Sequence, residues 1–247
     1  MGDARLTLEA LAAKMTEMGL SRRAESRPAA IEAIASAVRD WQKIIRRIST
    51  ENRRPIRPER LMAEIDRLMT PKTIAVADAS CSSIWIANYL TCRAAGQRFL
   101  TPRGLAGLGW GLPLAIGAQF AEPSRQVFCL SGDGGFAHCW AELETVVRNK
   151  LPIVTIVLNN QILGYQKHGE TVSFNAYTDV VNFAPVDHAA IARACGCDAL
   201  RIEDPAEFGP KFKEALKARR PFLFDVIIDA DAHPPITMFG DRFGLPF

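Results

Sequence analysis

The sequence has 247 residues, enough for one large α/β domain with an appended segment or for two small domains. It is 48% hydrophobic and 23% charged, as in ordinary globular proteins, and its net charge of +3 is too small to indicate nucleic acid binding. No apolar run is long enough to span a membrane, and Met1-Gly2-Asp3 does not resemble the start of a secretory signal, so no membrane association is predicted.

The six cysteines lack the paired spacing of a metal site, and several fall in apolar segments. We therefore expect reduced, mostly buried thiols in a cytoplasmic protein. A redox pair at Cys195-Gly196-Cys197 is the less favoured alternative.

The first part of the chain shows helical patterns and no strand pattern. Apolar residues recur at helical spacing within residues 5–19, and more strongly from Ile31 to Ile48, with Ser21 to Pro28 as a polar link between two helices. A basic, proline-containing hinge follows from Asn52 to Pro58, and we expect its arginines to be solvated. Residues 1–57 are thus predicted to form a helical arm and linker.

From Pro58 onward, helices and strands alternate. A helix ending at Thr70 is followed by strands predicted over 73–77, 98–101, 127–130, 153–158, 199–202 and 222–228, and by helices predicted over 80–90, 113–121, 187–195 and 205–218. Such alternation predicts an α/β fold, with a parallel sheet covered by helices on both faces, over residues 58–231. The tail, residues 232–247, opens with His233-Pro234-Pro235 and is expected to cross the surface.

One stretch of the sequence contains the residues most typical of a ligand-binding site. Gly132-Asp133-Gly134-Gly135 directly follows an apolar run and leads into a helix-like segment. A second apolar run ends in Asn159-Asn160, with 24 residues between Gly134 and the asparagine pair. Read as strand, turn, helix and strand, this is a βαβ unit whose two polar ends meet at the carboxyl edge of the sheet, where ligands bind.

The residue types at these ends suit a metal-bridged diphosphate. Asp133 offers a carboxylate and Asn160 a carbonyl oxygen, which Mg²⁺ accepts together with phosphate oxygens. Gly134 and Gly135 allow close backbone approach and present N–H groups to phosphate. A Gly-Asp-Gly sequence alone would equally be an ordinary turn.

The complete pattern from Gly132 to Asn160 resembles the signature of thiamine-diphosphate (ThDP) enzymes. A second run, from Arg103 to Pro113, resembles the turn that holds the aminopyrimidine ring in the acetolactate synthase group of that family. The resemblance covers nearly the whole chain. It implies that Leu108 is the apolar wedge that bends the cofactor and that Ala106 supplies a carbonyl to the exocyclic amine. Bending brings this amine close to the thiazolium carbon.

The resemblance also assigns the other cofactor contacts. Mg²⁺ would bind the side chains of Asp133 and Asn160 and the carbonyl of Ile162. The diphosphate end of the cofactor would contact Gly132, which belongs to the signature, and would accept hydrogen bonds from the amides of Gly134, Gly135, Leu163 and Gly164. Hydroxyls of Ser80 and Ser82 would lie at the same end, although a serine after a strand is equally a helix cap.

The substrate side is less closely matched. Tyr165, Gln166 and His168 are the candidates for catalysis, but Gly169 stands where acetolactate synthases carry a tryptophan that shapes the acceptor site. The acceptor pocket is therefore expected to differ. For His168, a solvent-exposed position in a polar loop is favoured over an acid/base role.

The other histidines are expected to have the following places. His138 would pack, His188 would lie at the surface near a helix cap, and His233 lies in the tail, which in relatives folds over the active site.

The family's activating glutamate belongs to a pyrimidine-binding domain, for which this sequence has no room. The resemblance therefore implies one subunit of a split enzyme, favoured over a fragment, that is inactive alone. It would act in a hetero-oligomer with two copies of each chain, with any FAD in the partner domain.

The predicted function is ThDP- and Mg²⁺-dependent decarboxylation or carboligation of a 2-oxo acid. A non-catalytic regulatory or scaffold subunit that keeps the fold is the alternative. A dehydrogenase is disfavoured because no G-x-G-x-x-G follows the first strand.

Overall fold

The computed structural model describes residues 2–19 and 22–235, apart from the side chains of 22–25. The chain divides into two compact units, Met1–Arg47 and Ile48–Phe247. The functional division at residues 57 and 231 stays a prediction. None of the helices in the described ranges is both long and apolar enough to cross a membrane.

The N-terminal helices differ from prediction at one boundary. Helix α1 spans Ala4–Glu17 and is capped by Asp3, whose side chain accepts a hydrogen bond from the amide of Leu6. Helix α2 spans Arg22–Ser49, so the predicted polar link from Ser21 to Pro28 is wrong: it is helical from Arg22. Good helix formers surround Pro28, and the helix continues past it although the proline removes one backbone hydrogen bond and its ring crowds the carbonyl four residues earlier.

The second unit contains the predicted alternation. Its helices are α3 Pro58–Leu68, α4 Cys81–Tyr89, α5 Gly111–Ala121, α6 Asp133–Phe136, α7 Leu143–Arg148, α8 Gly164–Phe174, α9 His188–Ala194 and α10 Pro205–Ala218. Its strands are β1 Ile74–Ala77, β2 Arg98–Leu100, β3 Val127–Gly132, β4 Ile153–Asn159, β5 Asp198–Ile202 and β6 Phe222–Ile227. Short 3₁₀ turns lie at Trp140–Glu142 and Asp179–Val181.

The six strands form one sheet in the order β2-β1-β3-β4-β6-β5, and every neighbouring pair is parallel. Alternate residues of a strand point to opposite faces, and each face has its own core. On one face Phe128 and Leu130 pack with α3, α4 and α10, and on the other Val127 and Cys129 pack with α5, α7 and α9. The predicted α/β fold with helices on both faces is confirmed.

The hinge is more firmly held than predicted. Ile56 is fully buried and pairs with Ile228, which extends the sheet edge beside β6. Arg53 donates to Asp229 at 2.8 Å, Arg54 pairs with Asp204, and the largely buried Arg57 pairs with Glu59. The expectation of solvated arginines is therefore wrong for Arg57, because the buried carboxylate of Glu59 draws its guanidinium inward.

The thiols follow the prediction only in part, because Cys92 is exposed and Cys81 and Cys195 are half-buried. All six cysteines are free, and Cys129, Cys139 and Cys197 are buried. Burial raises the pKa of Cys139 to about 11 and that of Cys197 to about 12, so both thiols are protonated at neutral pH.

The order of the strands creates the site. β1, β3 and β4 are adjacent, with Ala77 opposite Leu130 and Gly132 opposite Leu158. The residues that follow these strands, Asp78, Asp133 and Asn160, therefore meet at one edge of the sheet. The helix-like segment after Gly132 is broken into α6, a 3₁₀ turn and α7, because Cys139 leaves the helical backbone region with φ −139°.

Candidate cofactor and substrate site

Asp133 lies at the centre of this edge and is only 5% exposed. Its carboxylate accepts hydrogen bonds from the amides of Gly134 at 2.8 Å and Gln161 at 2.6 Å. Burial raises the pKa of Asp133 to about 6, while the amide hydrogen bonds act in the opposite direction. No lysine, arginine or histidine within the described ranges forms an ion pair with it, so its charge is left for a ligand to balance.

The two asparagines after β4 have different environments. Asn159 is 1% exposed, and its amide donates to Asp225 at 2.9 Å and to the carbonyl of Val186 at 3.0 Å. Asn160 instead lines the pocket beside Asp133, and the turn continues through Gln161, whose φ is +58°. Asn160 is therefore the asparagine that lines the pocket; its side-chain oxygen accepts a long hydrogen bond from the amide of Ile162, at 3.4 Å, and keeps a second lone pair for a ligand.

A narrow inner pocket brings together most of the residues predicted to bind the cofactor. Its walls include eleven of the twelve: Ser80, Ser82, Leu108, Gly132, Asp133, Gly134, Gly135, Asn160, Ile162, Leu163 and Gly164. The remaining residue, Ala106, lines an adjoining outer cleft of about 590 Å³, which shares Ser80, Leu108 and Leu163 with the inner pocket. A cleft of this size suits a small molecule.

Two glycines are required by close packing at this edge. A Cβ on Gly134 would lie 2.8 Å from the ring of Phe183, and one on Gly135 would lie 2.0 Å from the carboxylate of Asp78. Side chains at these positions would therefore displace the walls of the pocket.

The backbone amides predicted to bind diphosphate are not all equally free to donate a hydrogen bond to it. The N–H of Leu163 donates to the carbonyl of Val181 at 2.8 Å within the protein. Gly164 is the first residue of α8, where an amide has no partner inside the helix. The assignment of Leu163 as an amide donor to diphosphate therefore requires a shared hydrogen bond, whereas that of Gly164 does not.

Asp78 organises the predicted aminopyrimidine turn, and sequence reasoning missed this role. Its carboxylate accepts from the amides of Gly109 at 3.0 Å, Trp110 at 3.0 Å and Gly111 at 3.2 Å. Ser131 adds a hydroxyl contact at 3.3 Å, and Asp78 is fully buried. The sequence signal for this role was a carboxylate directly after a predicted buried strand. A carboxylate buried at such a position needs several hydrogen-bond donors.

The predicted aminopyrimidine turn, residues 103–113, has the backbone geometry expected where another part of the chain packs closely against it. Gly109 has φ +87°, and a Cβ there would lie 2.6 Å from the Cβ of His138. Ala106 also has a positive φ, of +52°. Leu108, between them, contributes to both the inner pocket and the outer cleft.

Ser80 and Ser82 line the pocket, and Ser80 does not act as a side-chain helix cap. Ser80 occupies the position before α4 with φ +69°, yet its side chain makes no capping hydrogen bond. Ser80 lines both cavities, and Ser82 is 3% exposed on the wall of the inner one.

The segment predicted as a polar loop after Leu163 is helix α8, so that expectation is wrong. Tyr165 and Gln166 line the outer cleft together with Glu170, and the Gln166 amide donates to Glu170 at 2.8 Å. His168 points away from the cleft and is only 3% exposed. The favoured exposed position for His168 is therefore wrong, because the helix turns it toward the segment after β6.

The other three histidines also differ from prediction. His188 is 4% exposed rather than at the surface, since it packs edge-on against Phe136 at a ring distance of 5.5 Å. His233 is 8% exposed, so the start of the tail is buried rather than crossing the surface. His138 is exposed. The rest of the predicted tail, residues 236–247, lies outside the described residues.

The donors present fit Mg²⁺ and a diphosphate. Within the described ranges no three histidine, cysteine or acidic side chains form a metal site by themselves. One carboxylate, one amide oxygen and a backbone carbonyl are nevertheless the incomplete set that Mg²⁺ accepts when phosphate oxygens fill the remaining positions.

The fold and the site together define a cofactor-binding α/β domain with its pocket at the carboxyl edge of a parallel sheet. Residues 78–226, more than half of the chain, match the family described as thiamine pyrophosphate enzyme, C-terminal TPP binding domain. The chain belongs to this family, and the resemblance to the acetolactate synthase group is confirmed by its relatives.

One relative is YdaP of Bacillus subtilis (strain 168), named as a thiamine pyrophosphate-containing protein, which is 32% identical over 83% of this chain and 35% of its own length. The acetolactate synthase large subunit of Parasynechococcus marenigrum (strain WH8102) is 29% identical over 100% of this chain and 39% of its own length.

A solved structure, the thiamine diphosphate-dependent 4-hydroxybenzoylformate decarboxylase of Rhodococcus jostii RHA1, superposes with a TM-score of 0.65 at 28% identity. The superposition covers 70% of this chain and 33% of the decarboxylase chain. The chain thus spans roughly a third of the length of these relatives.

Proposed function

We propose that this chain is the diphosphate-binding part of a ThDP- and Mg²⁺-dependent enzyme that decarboxylates a 2-oxo acid and, in some cases, joins the product to an acceptor. The observation that carries the proposal is the inner pocket, where Asp133, Asn160 and the glycine-rich turn share one wall with Leu108. Bound ThDP would supply the electron sink that decarboxylation of a 2-oxo acid needs.

The chain's own residues would divide the work as follows. Asp133, Asn160 and the carbonyl of Ile162 would hold Mg²⁺, while Leu108 and Ala106, held by the Asp78 carboxylate, would position the pyrimidine end. Tyr165 and Gln166 would form the substrate wall of the outer cleft. We assign His168 no contact with substrate.

A pyrimidine-binding partner domain, carrying the activating glutamate, is part of the proposal. Large apolar side chains near the site are exposed: Leu105 by 97%, Trp110 by 56% and Val180 by 79%. Exposed apolar surface of this kind indicates a surface that another domain covers. We propose two copies of each chain in the assembly, with any FAD in the partner domain.

Reconstitution tests this function. The chain loaded with ThDP and Mg²⁺ should not turn over 2-oxo acids alone, and adding a chain with a pyrimidine-binding domain and an unpaired glutamate should start CO₂ release. The measurement is CO₂ release from pyruvate, 2-oxobutanoate and benzoylformate, with the partner's glutamate replaced by glutamine as the control. Turnover by the chain alone would refute the split site. A chain that binds ThDP but activates no partner would instead favour the alternative of a regulatory subunit. The complete pocket argues against that alternative.

Gly169 provides a second prediction. It lies on α8 one turn from Tyr165, and a Cβ there would meet no atom within 4 Å. In the reconstituted enzyme, Gly169→Trp should change the ratio of acceptors used by about fivefold or more, since about 1 kcal/mol of differential contact is enough. The affinity for ThDP should stay within about twofold, a change of less than about 0.5 kcal/mol.

The matched control is Gly117→Trp, on α5, where a Cβ also meets no atom within 4 Å. It should change neither quantity. A loss of ThDP affinity in Gly169→Trp without a change in acceptor use would show that α8 does not face the acceptor.

A further inference from the structure

Two buried histidines meet behind the inner pocket. His168, on α8, and His233, on the segment after β6, are 3% and 8% exposed, and their rings make an edge contact with centroids 4.6 Å apart. Neither ring lines the inner pocket or the outer cleft. Their contact joins two elements that do: α8 begins at Gly164, and the segment after β6 contributes Ile228 and Ala232 to the pocket wall.

A second contact ties the same two elements together. The ammonium group of Lys167 donates to the carboxylate of Asp231 at 2.6 Å and to the carbonyl of Ala230 at 3.3 Å. The segment is therefore held to α8 by one ion pair at the surface and by the imidazole contact in the interior.

We propose that His168 and His233 are positioning residues, which hold the pocket wall formed by Ile228 and Ala232 while both rings are neutral and release it as the rings take up protons.

The charges around the pair do not favour protonation. Burial lowers the pKa of His168 to about 4, and His233 and Lys167 lower it too, against the carboxylate of Asp231 and a backbone hydrogen bond at Ala232. Burial and the guanidinium of Arg57 lower the pKa of His233, against Glu59 and a backbone hydrogen bond at Pro234. Both opposing carboxylates are already engaged, Asp231 by Lys167 and Glu59 by Arg57.

The sign of the pH effect follows from the lowered pKa. The closed wall favours neutral rings, so it is fully stable above the ordinary histidine pKa near 6.5 and loses stability as the pH falls from there toward 4. For His168 alone, a pKa of about 4 when closed and about 6.5 when open implies that the opening equilibrium rises about 25-fold between pH 7.5 and pH 5.

Amide hydrogen exchange of the full chain measures this opening directly. After correction for intrinsic exchange rates, the amides from residues 228 to 232 should open about 25-fold more often at pH 5 than at pH 7.5. His168→Phe keeps an aromatic ring and leaves His233 as the one titrating member of the pair, so its opening should rise clearly less than in the unmodified chain over the same range. His138→Phe, at an exposed histidine, should behave as the unmodified chain.

Equal pH dependence in His168→Phe and the unmodified chain would overturn the proposal, as would a pH-independent wall in the unmodified chain. If His168→Phe does not fold, imidazole NMR titration of the unmodified chain decides: a pKa of His168 at or above 6.5 overturns the proposal, and one well below supports it.

Affinity for ThDP and Mg²⁺ provides a second readout, compared between variants at each pH so that the cofactor's own titration cancels. It should fall at pH 5 more in the unmodified chain than in His168→Phe. The role of the wall in cofactor binding rests on the proposed function, whereas the exchange measurement does not. Failure of every variant to bind ThDP would therefore count against the function alone.

Discussion

Asp133→Asn is expected to lower the affinity for ThDP in the presence of Mg²⁺ by at least about 100-fold, because even residues that only support a metal ligand change affinity by 10–100-fold. Asparagine has nearly the same shape and keeps one oxygen, but it removes the single carboxylate that the described residues of the inner pocket offer to a cation. Isothermal titration calorimetry with ThDP, in Mg²⁺ and in EDTA, measures the effect.

The fold should survive this change. One of the two amides that now donate to Asp133 loses its acceptor, which costs less than about 3 kcal/mol, and the burial of a charge is relieved. Glu207→Gln, an exposed carboxylate at the start of α10, is the matched control and should bind ThDP normally. Unchanged Mg²⁺-dependent binding in Asp133→Asn would remove the central assignment of the site.

Asp78→Asn is expected to lower the free energy of unfolding by about 2–4 kcal/mol and to weaken ThDP binding as well. One carboxylate oxygen serves Trp110 and Gly111, and the other serves Gly109 and Ser131. An asparagine amide would place N–H groups against one of these donor sets inside a fully buried site. The turn that positions Leu108 would then lose its anchor.

Urea unfolding of the cofactor-free chain, analysed for midpoint and slope, gives the stability change. Asp66→Asn is a suitable control, since Asp66 also accepts a backbone amide, that of Thr91, but its side chain is 25% exposed. Its cost should stay below about 1 kcal/mol because water replaces the lost contacts. If Asp78→Asn were no more harmful than Asp66→Asn, the turn would be held by something other than the Asp78 carboxylate.

Local patterns were sufficient to predict the sheet and the cofactor end of the site. Continuous apolar runs mark buried parallel strands, and the polar residues that follow β3 and β4 must lie at the carboxyl edge whatever the rest of the chain does. For this reason the sequence alone predicts that Asp133, Asn160 and the glycines of the turn lie together. The resemblance added Leu108 and Ser82, which the structure brings to the same pocket.

Other assignments depended on contacts between residues far apart in sequence. Asn159 and Asn160 are identical in type, and only the distant partners Asp225 and Val186 decide that Asn159 turns into the core. The role of Asp78 is similar, because its donors lie more than 30 residues further along the chain. No local pattern reports such partners.

What the amino-acid sequence determined by itself is the α/β fold, the order of its elements and the residues at the strand ends, because these follow from local hydrophobic periodicity and turn chemistry. The tertiary structure alone decided that α8 is a helix facing a cleft, that His168 and His233 meet in the interior, and that Asp78 anchors the turn at Leu108. These features depend on burial and on hydrogen-bond partners that only the packed sheet brings together.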